Sequence, residues 1–475
     1  MRARASVLAI THVRIIDGTG RPAAEDQTIV LDDGRIRAVG PAGQVAIPST
    51  AEVLDRNGFT AIPGLVGMHE HLFYELETAS GSAITPAQAS FSRLYLAGGV
   101  TTMRTAGTVD FEGDRKIKEA IDAGDAVGPA IHLTGPYLGA STADPDPDGV
   151  ARVVDAQAEQ GATSFKAYTS LRRSELRAAV DAAHRRGLRI TGHVCAVGYR
   201  DAAALGIDNL EHGLVLDTEF YSGKQPDVCP NQLAVFREMV NMDLNDTAIQ
   251  QMMFELRSRG VAVTSTLTVL ESYTGRSIVF DPRVPLLLAS RLRGLYDDAK
   301  QRRSDPDSAD ARLWLAVLKL EMEFERRFVA LGGRLMAGAD PTGWGGVLAG
   351  LADQRELELL VEAGLTAEEA VKVATLNGAE YLQEADTIGT IEVGKQADLV
   401  LIRGNPAADI SAVRNVKLVF RKGIGYDAHE LIAATCGTVG RYDVWRILPW
   451  SVAFLVLLGA LIWRVVARRR RLGLT

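Results

Sequence analysis

Pro63-Gly64-Leu65-Val66-Gly67-Met68-His69-Glu70-His71 is an apolar run that rises to two histidines one residue apart. In a β-strand, residues two apart point to the same side. His69 and His71 can therefore reach one metal ion together while Glu70 points away. Imidazole nitrogen suits zinc and its neighbours, and a strand end holds it rigidly. Taken alone the pair is weak evidence, because two surface histidines fall one residue apart by chance. It gains weight from its surroundings, since the whole chain has only eight histidines.

Upstream of this run, residues 7 to about 60 predict short strands broken by turns. Val7-Leu8-Ala9-Ile10 is too short for a signal peptide's apolar region and is interrupted at once by His12 and Arg14, so it is better taken as a strand. Thr28–Leu31 and Arg35–Val39 flank Asp32-Asp33-Gly34, a hairpin signal. A similar block, Gly389-Thr390-Ile391 through Ala397–Ile402, follows the long middle. Two small β blocks bracketing that middle predict one β-sandwich composed from both chain ends.

The middle alternates strand-like and helical stretches: Gly99–Arg104, Asp114–Ala123, Ala130–Leu133, Gly149–Gln160, Thr163–Tyr168, Ser174–Arg186 and Leu188–Thr191. Repeated βα units of this spacing predict a parallel α/β fold, and at this length a (β/α)8 TIM barrel with its chemistry at the carboxyl ends of the strands. The segment between His212 and Asp340 is longer than two βα units need. Residues 218–330 are therefore expected to form an elaborated loop region or lid, or a surface packed on a neighbouring subunit or near a membrane.

Ile447 to Trp463 is uncharged, with Trp445, Trp450 and Trp463 near its ends and Arg468-Arg469-Arg470-Arg471 beyond. This predicts a C-terminal transmembrane helix and a single-pass membrane anchor in contact with lipid. The arginines place the tail in the cytoplasm and the large domain across the membrane, yet no signal sequence would carry that domain over. Either the start lies upstream or the body is cytosolic. The expected organisation is 1–60, first part of the sandwich; 61–380, barrel; 381–435, second part of the sandwich; 436–446, linker; 447–466, transmembrane helix; 467–475, basic tail.

Composition narrows the function classes. Of 475 residues 47% are hydrophobic and 23% charged, and a net charge of −7 gives no basic footprint for nucleic acid. Cys195, Cys229 and Cys436 are widely spaced, which suggests neither a disulfide framework nor a cysteine zinc knuckle.

Four further residues top predicted strands. Lys166 ends Thr163-Ser164-Phe165; it is either an ordinary exposed or ion-paired lysine or, carbamylated by CO2, a bridge between two metal ions. His193 and His212 each end a strand-like run, where singly a histidine is more often a satisfied core residue than a ligand. Asp340 closes Arg334–Ala339 and precedes Pro341, either a turn residue or a ligand and general base. Tyr168 and His132 are candidates, by strand position alone, to support an oxyanion. Arg104 is a candidate for a substrate carboxylate or for a structural ion pair.

The chain resembles the amidohydrolase superfamily, and within it the imidazolonepropionase-like and prolidase-like branch. The matching pieces are Ile62–His71, Gly99–Arg104, Glu211-His212-Gly213, Ala337–Asp340, Ala374–Ala379 and Ile388–Val400. The resemblance implies a barrel flanked by a composite β-sandwich, with metal ligands at His69, His71, carbamylated Lys166, His193, His212 and Asp340. It implies two divalent ions, Zn2+ first among them, and a CO2-derived carbamate on Lys166. Relatives commonly carry aspartate where Gly67 and Thr105 stand, so the surroundings of the metals differ here.

Chemistry of paired cations then implies metal-activated hydroxide attacking an amide carbonyl, with Asp340 passing the proton to the leaving amine. Small-molecule dipeptides or N-acyl amino acids are the expected substrates, with Phe73, Tyr74, Trp344 and the long insertion shaping specificity. Two alternatives stand beside this: a mononuclear cyclic amidohydrolase or deaminase, and an inactive metal-binding scaffold at the membrane. The oligomeric state stays open, a homo-oligomer being common in the family.

Overall fold

The computed structural model describes residues 2–3, 7–139, 146–277 and 281–441. Eight parallel strands follow one another in chain order: β1 (Leu65–Glu70), β2 (Val100–Thr105), β3 (Ala130–His132), β4 (Ser164–Ala167), β5 (Arg189–Gly192), β6 (Asn209–Glu211), β7 (Ala262–Ser265) and β8 (Leu335–Ala337). β1–β3 form one hydrogen-bonded ladder and β4–β8 another. A parallel bridge between Thr134 and Ser164 joins them. At the opposite seam, the Asp340 amide donates to the His69 carbonyl at 2.9 Å, bringing the end of β8 against β1. Gly338 makes that approach possible, because a Cβ there would lie 2.4 Å from the His69 nitrogen. The strands are short and buried, as expected of a parallel sheet covered by helices.

Helices fill the connections. α1 (Gln88–Gly98), α2 (Phe111–Asp122), α3 (Pro147–Glu159), α4 (Arg173–Arg185) and α5 (Tyr199–Leu205) follow the first five strands. The hairpin Phe73–Thr78 and Gly81–Pro86 intervenes between β1 and α1. The long segment after His212 is not merely a lid, because it contains β7. α6 (Gln232–Met239) and α7 (Thr247–Ser258) precede that strand, and α8 (Leu267–Ser272), α9 (Val284–Leu287), α10 (Ser290–Arg303) and α11 (Ala309–Ala330) follow it. The excess length is thus two enlarged βα connections. α12 (Leu351–Glu362), α13 (Ala367–Val373) and α14 (Leu376–Tyr381) come after β8.

Both chain ends contribute to one sheet. Val7–Ile15, Ala24–Asp32, Arg35–Pro41, Glu52–Asp55 and Phe59–Pro63 join Leu399–Arg403, Val416–Arg421 and Ile424–Asp427, with Arg2–Ala3 at its edge. The expected sandwich is therefore a single hydrogen-bonded sheet of nine strands. It bends so that its hairpin tips meet: the Ala397 amide donates to the Gly34 carbonyl at 2.8 Å, and Gly423 to Ala397 at 3.0 Å. Ile10, Ile29, Ile36, Leu399, Leu401 and Phe420 share the core inside the bend. Phe59–Pro63 pairs with Leu399–Arg403 and then runs through Gly64 straight into β1. The sheet thereby anchors the strand that carries His69.

Two expectations are overturned. Among the described residues no helix is long and apolar enough to cross a membrane. The longest, α11, has 22 residues but carries charges along its length, from Asp310 and Arg312 through Glu321, Glu323 and Glu325 to Arg326 and Arg327. The single-pass anchor and its lipid contact are thus without a span to carry them, and the 447–466 segment lies outside the described residues. The cysteines also differ from expectation. Cys195 and Cys229 form a disulfide, while Cys436 is free.

Candidate metal centre

At the carboxyl end of the barrel, β1 delivers His69 and His71, and the turn after β8 delivers Asp340. His71 Nε2 lies 3.3 Å from Asp340 Oδ1, and His69 Nε2 lies 3.7 Å from the same oxygen. One donor atom from each residue falls within 4.8 Å of the others, and all three residues are buried. Asp340 sits at φ 43° and His212 at φ 66°, a left-handed backbone that few non-glycine residues adopt. Such strain persists only where the surroundings enforce it, which is common at functional sites. Thr342 holds the Asp340 turn, its hydroxyl donating to Oδ1 at 2.9 Å.

His212 joins from the end of β6, with Nδ1 3.7 Å from Asp340 Oδ2. That nitrogen also lies 2.7 Å from the Thr266 hydroxyl, which leaves Nε2 free to act as a ligand. The turn beyond is fastened by Glu321 of α11, whose carboxylate accepts the amides of Leu214 at 3.2 Å and Val215 at 2.9 Å. Gly213, at φ +68°, admits that carboxylate, because a Cβ would lie 1.6 Å from Glu321 Oε1. His193, after β5, packs its ring 4.7 Å from that of His212, and the rings of His69 and His212 lie 4.5 Å apart.

Beside these imidazoles lies an ionic web centred on Glu211, which is fully buried. Its carboxylate lies 2.8 Å from His69 Nδ1, 2.7 Å from Arg104 Nη2 and 3.6 Å from Lys166 Nζ, and it also accepts the Thr191 hydroxyl. By fixing the His69 Nδ1 side, it aims Nε2 toward Asp340. Lys166 Nζ is buried, and its nearest counter-charge is this shared carboxylate.

The electrostatics follow from burial among these charges. Burial, with the Lys166 ammonium nearby, lowers the His69 pKa to about 4. Burial likewise holds His193 and His212 well below the ordinary histidine value. Neutral imidazole is the form that binds metal. Burial opposes the charge on Asp340 and Glu211, but both stay well below the usual carboxylate range. His69, His71 and His212 do this for Asp340; Lys166, Arg104 and His69 do it for Glu211. Lys166 is lowered to about 8, mainly by burial.

The remaining candidates separate. Tyr168 packs 5.0 Å from the His193 ring and 5.0 Å from Tyr137, in an aromatic arc that continues through His71 to Phe73. Arg104 lies inside the barrel: its Nη2 donates to the Met68 carbonyl and to Glu211, and the guanidinium packs over Tyr381, while Nε and Nη1 have no hydrogen-bond partner. A buried guanidinium needs a counter-charge, and Glu211 supplies it. His132 turns elsewhere, its Nε2 3.3 Å from Glu384. Trp344 is buried with its indole donating to the Ser272 carbonyl. Glu211 and Tyr137 were not singled out from sequence. A carboxylate directly before a candidate ligand at a strand end is the signal that marks Glu211; Tyr137 carries no comparable signal.

A family model described as the amidohydrolase family matches residues 60–222 and 329–424. An enamidase of Eubacterium barkeri is 33% identical over 136 residues, covering 28% of this chain and 32% of that protein. An imidazolonepropionase of Idiomarina loihiensis is 32% identical over 90 residues, covering 19% and 22% respectively. The matched stretches span about a third or less of these curated relatives' own length. In three dimensions the chain is similar to a Xaa-Pro dipeptidase solved with methionine in its active site, with TM-score 0.67 and 21% identity, covering 89% of this chain and 100% of that one.

Proposed function

The chain belongs to the amidohydrolase family, whose model matches more than half of it, and from that premise we propose that it is a metal-dependent hydrolase of carbon–nitrogen bonds. Dipeptides or N-acyl amino acids are the substrates proposed first. The observation that carries the reading is the convergence of His69, His71 and Asp340, buried donors within 4.8 Å of one another. A neutral His69 beside an ionised Asp340 suits a divalent cation such as zinc. His69, His71 and Asp340 would hold one ion, and His193 with the free Nε2 of His212 extends the donor set. When bound, the metal supplies Lewis acidity and makes water acidic enough to attack an amide carbonyl near neutral pH.

The chain's own residues account for the rest. Asp340, kept ionised by the surrounding imidazoles, accepts the proton of the attacking water and returns it to the leaving amine nitrogen. Glu211 fixes the orientation of His69, and Thr266 that of His212. Tyr168, whose ring packs against that of His193, would support the oxyanion.

Lys166 carries the two-metal form of this proposal. It is buried, and its lowered pKa leaves a fraction of neutral amine near pH 7, the form that adds CO2. The Glu211 ion pair favours a second reading, in which Lys166 stays an ammonium and the centre is mononuclear, acting on cyclic amides or in deamination. Elemental analysis of the full chain, purified with bicarbonate and no chelator, separates the two. About two metals per chain, falling to one in Lys166→Met, is the expected result. One metal in both proteins selects the mononuclear reading. None after reconstitution with zinc overturns the hydrolase.

A further inference from the structure

A cleft opens beside His193 on the carboxyl face of the barrel, away from the His69–Asp340 contact. With its open mouth it holds about 320 Å³ free of protein atoms. Its walls are largely apolar: Val215 and Leu216 from the turn after β6, Val235 from α6, and the Cys195–Cys229 disulfide. Gln232 stands exposed at the rim. Thr169 and Thr218 also line it, as does His193, which belongs both to this cleft and to the cluster of imidazoles.

The outer wall is fixed in place. Lys224 Nζ donates to three carbonyls, of Cys195 at 3.0 Å, Ala196 at 2.6 Å and Val228 at 2.7 Å. The Thr218 hydroxyl donates to the Cys195 carbonyl at 2.7 Å. The disulfide then ties Cys229 to the segment two residues beyond His193. Hydrogen bonds and a disulfide thus hold this wall against the end of β5. An apolar recess held this firmly loses little entropy when something fills it.

We propose that this cleft is a specificity subsite that takes one aliphatic side chain of the substrate, with the disulfide-bound loop as its wall. The inference rests on the hydrolase reading above. It adds what that reading leaves open, namely which substrates the site prefers. Apolar walls favour a branched aliphatic group over hydrogen, and the buried Val215, Leu216 and Val235 offer it no ionic partner. Discrimination of one such group in a pocket of this kind is worth about 10-fold or more.

The test uses the full chain loaded with zinc and the dipeptides Gly-Gly, Leu-Gly and Gly-Leu. The wild type should cleave one of the leucine dipeptides with a kcat/KM at least about 10-fold above Gly-Gly. Gln232→Trp, at the exposed rim, should abolish that preference through KM while leaving Gly-Gly within about 2-fold. Val235→Phe fills the cleft from within and should do the same. Equal treatment of the three dipeptides by the wild type, or an equal loss on all three in both variants, overturns the subsite. Calorimetric binding of free leucine and glycine separates this proposal from the hydrolase reading. If no dipeptide is cleaved, the dipeptidase form of that reading fails, and the subsite then stands only if leucine binds at least about 10-fold tighter than glycine in the wild type and not in Gln232→Trp.

Discussion

The two sides of the barrel mouth use the same residue types in opposite ways. On the β1–β8 side, His69, His71 and Asp340 converge, and Asp340 gathers imidazoles around its carboxylate. On the β4–β6 side, Lys166 is just as buried, but the carboxylate it faces is already engaged by Arg104, Thr191 and His69. The first arrangement leaves a charge imbalance that a cation would relieve. The second already has two buried cations, Arg104 and Lys166, beside its one anion, so it calls for no further cation while Lys166 remains an ammonium. Residue type alone therefore does not mark a ligand. What matters is the charge that already stands beside it.

The largest expected effect lies on the converging side. Asp340→Asn keeps the shape but removes both the charge and the proton acceptor, so kcat/KM should fall about 10²–10⁴-fold on any substrate the wild type cleaves. An unchanged rate would break the comparison, since Asp340 would then be only a turn residue. On the β4–β6 side the effect should appear first in folding. Glu211→Gln leaves Arg104 and Lys166 buried together without their shared anion, and losing one partner of a buried pair costs about 3–5 kcal/mol. Urea unfolding of the metal-free variant measures it. A loss below about 1 kcal/mol, the scale of an exposed pair, would mean that Glu211 is not the keystone of this web.

How much of this was legible in the sequence follows from the same distinction. Local pattern marks strand ends, so His69, His71, His193, His212 and Asp340 could be placed at one mouth from the runs that precede them. The sheet's two contributions were visible because hairpin signals are local as well. The seventh strand was not. Ala262-Val263-Thr264-Ser265 is a four-residue buried strand inside a charged helical stretch, too short to show a period. The disulfide joins positions 34 apart in sequence, and no spacing rule pairs them. Arg104 and Glu211 lie 107 positions apart, so their ion pair shows only in the register of the barrel. The C-terminal apolar run carried a local hydropathy signal, but no spanning helix stands among the described residues to match it.

A smaller effect tests the electrostatic side of the comparison without any substrate. In the metal-free protein His69 has a folded-state pKa of about 4, and His193 and His212 are likewise depressed, chiefly by burial. Above the unfolded-state value near 6.5 all three are neutral in both states, and they contribute no pH dependence. Below it the unfolded chain takes up protons that the folded chain refuses, so stability falls as the pH drops from about 6.5 toward 4. The slope approaches about 1.4 kcal/mol per pH unit for each histidine. The depressed carboxylates of Asp340 and Glu211 add their own loss only at lower pH, as the unfolded carboxyls near pH 4 begin to protonate. Urea midpoints across this range should therefore decline in two stages, the first reduced by substituting His193 and His212 with glutamine. A midpoint that stays level from pH 6.5 to 5 would show that the imidazoles gain their protons as easily folded as unfolded. The converging side would then lack the desolvation that makes it ready for a cation.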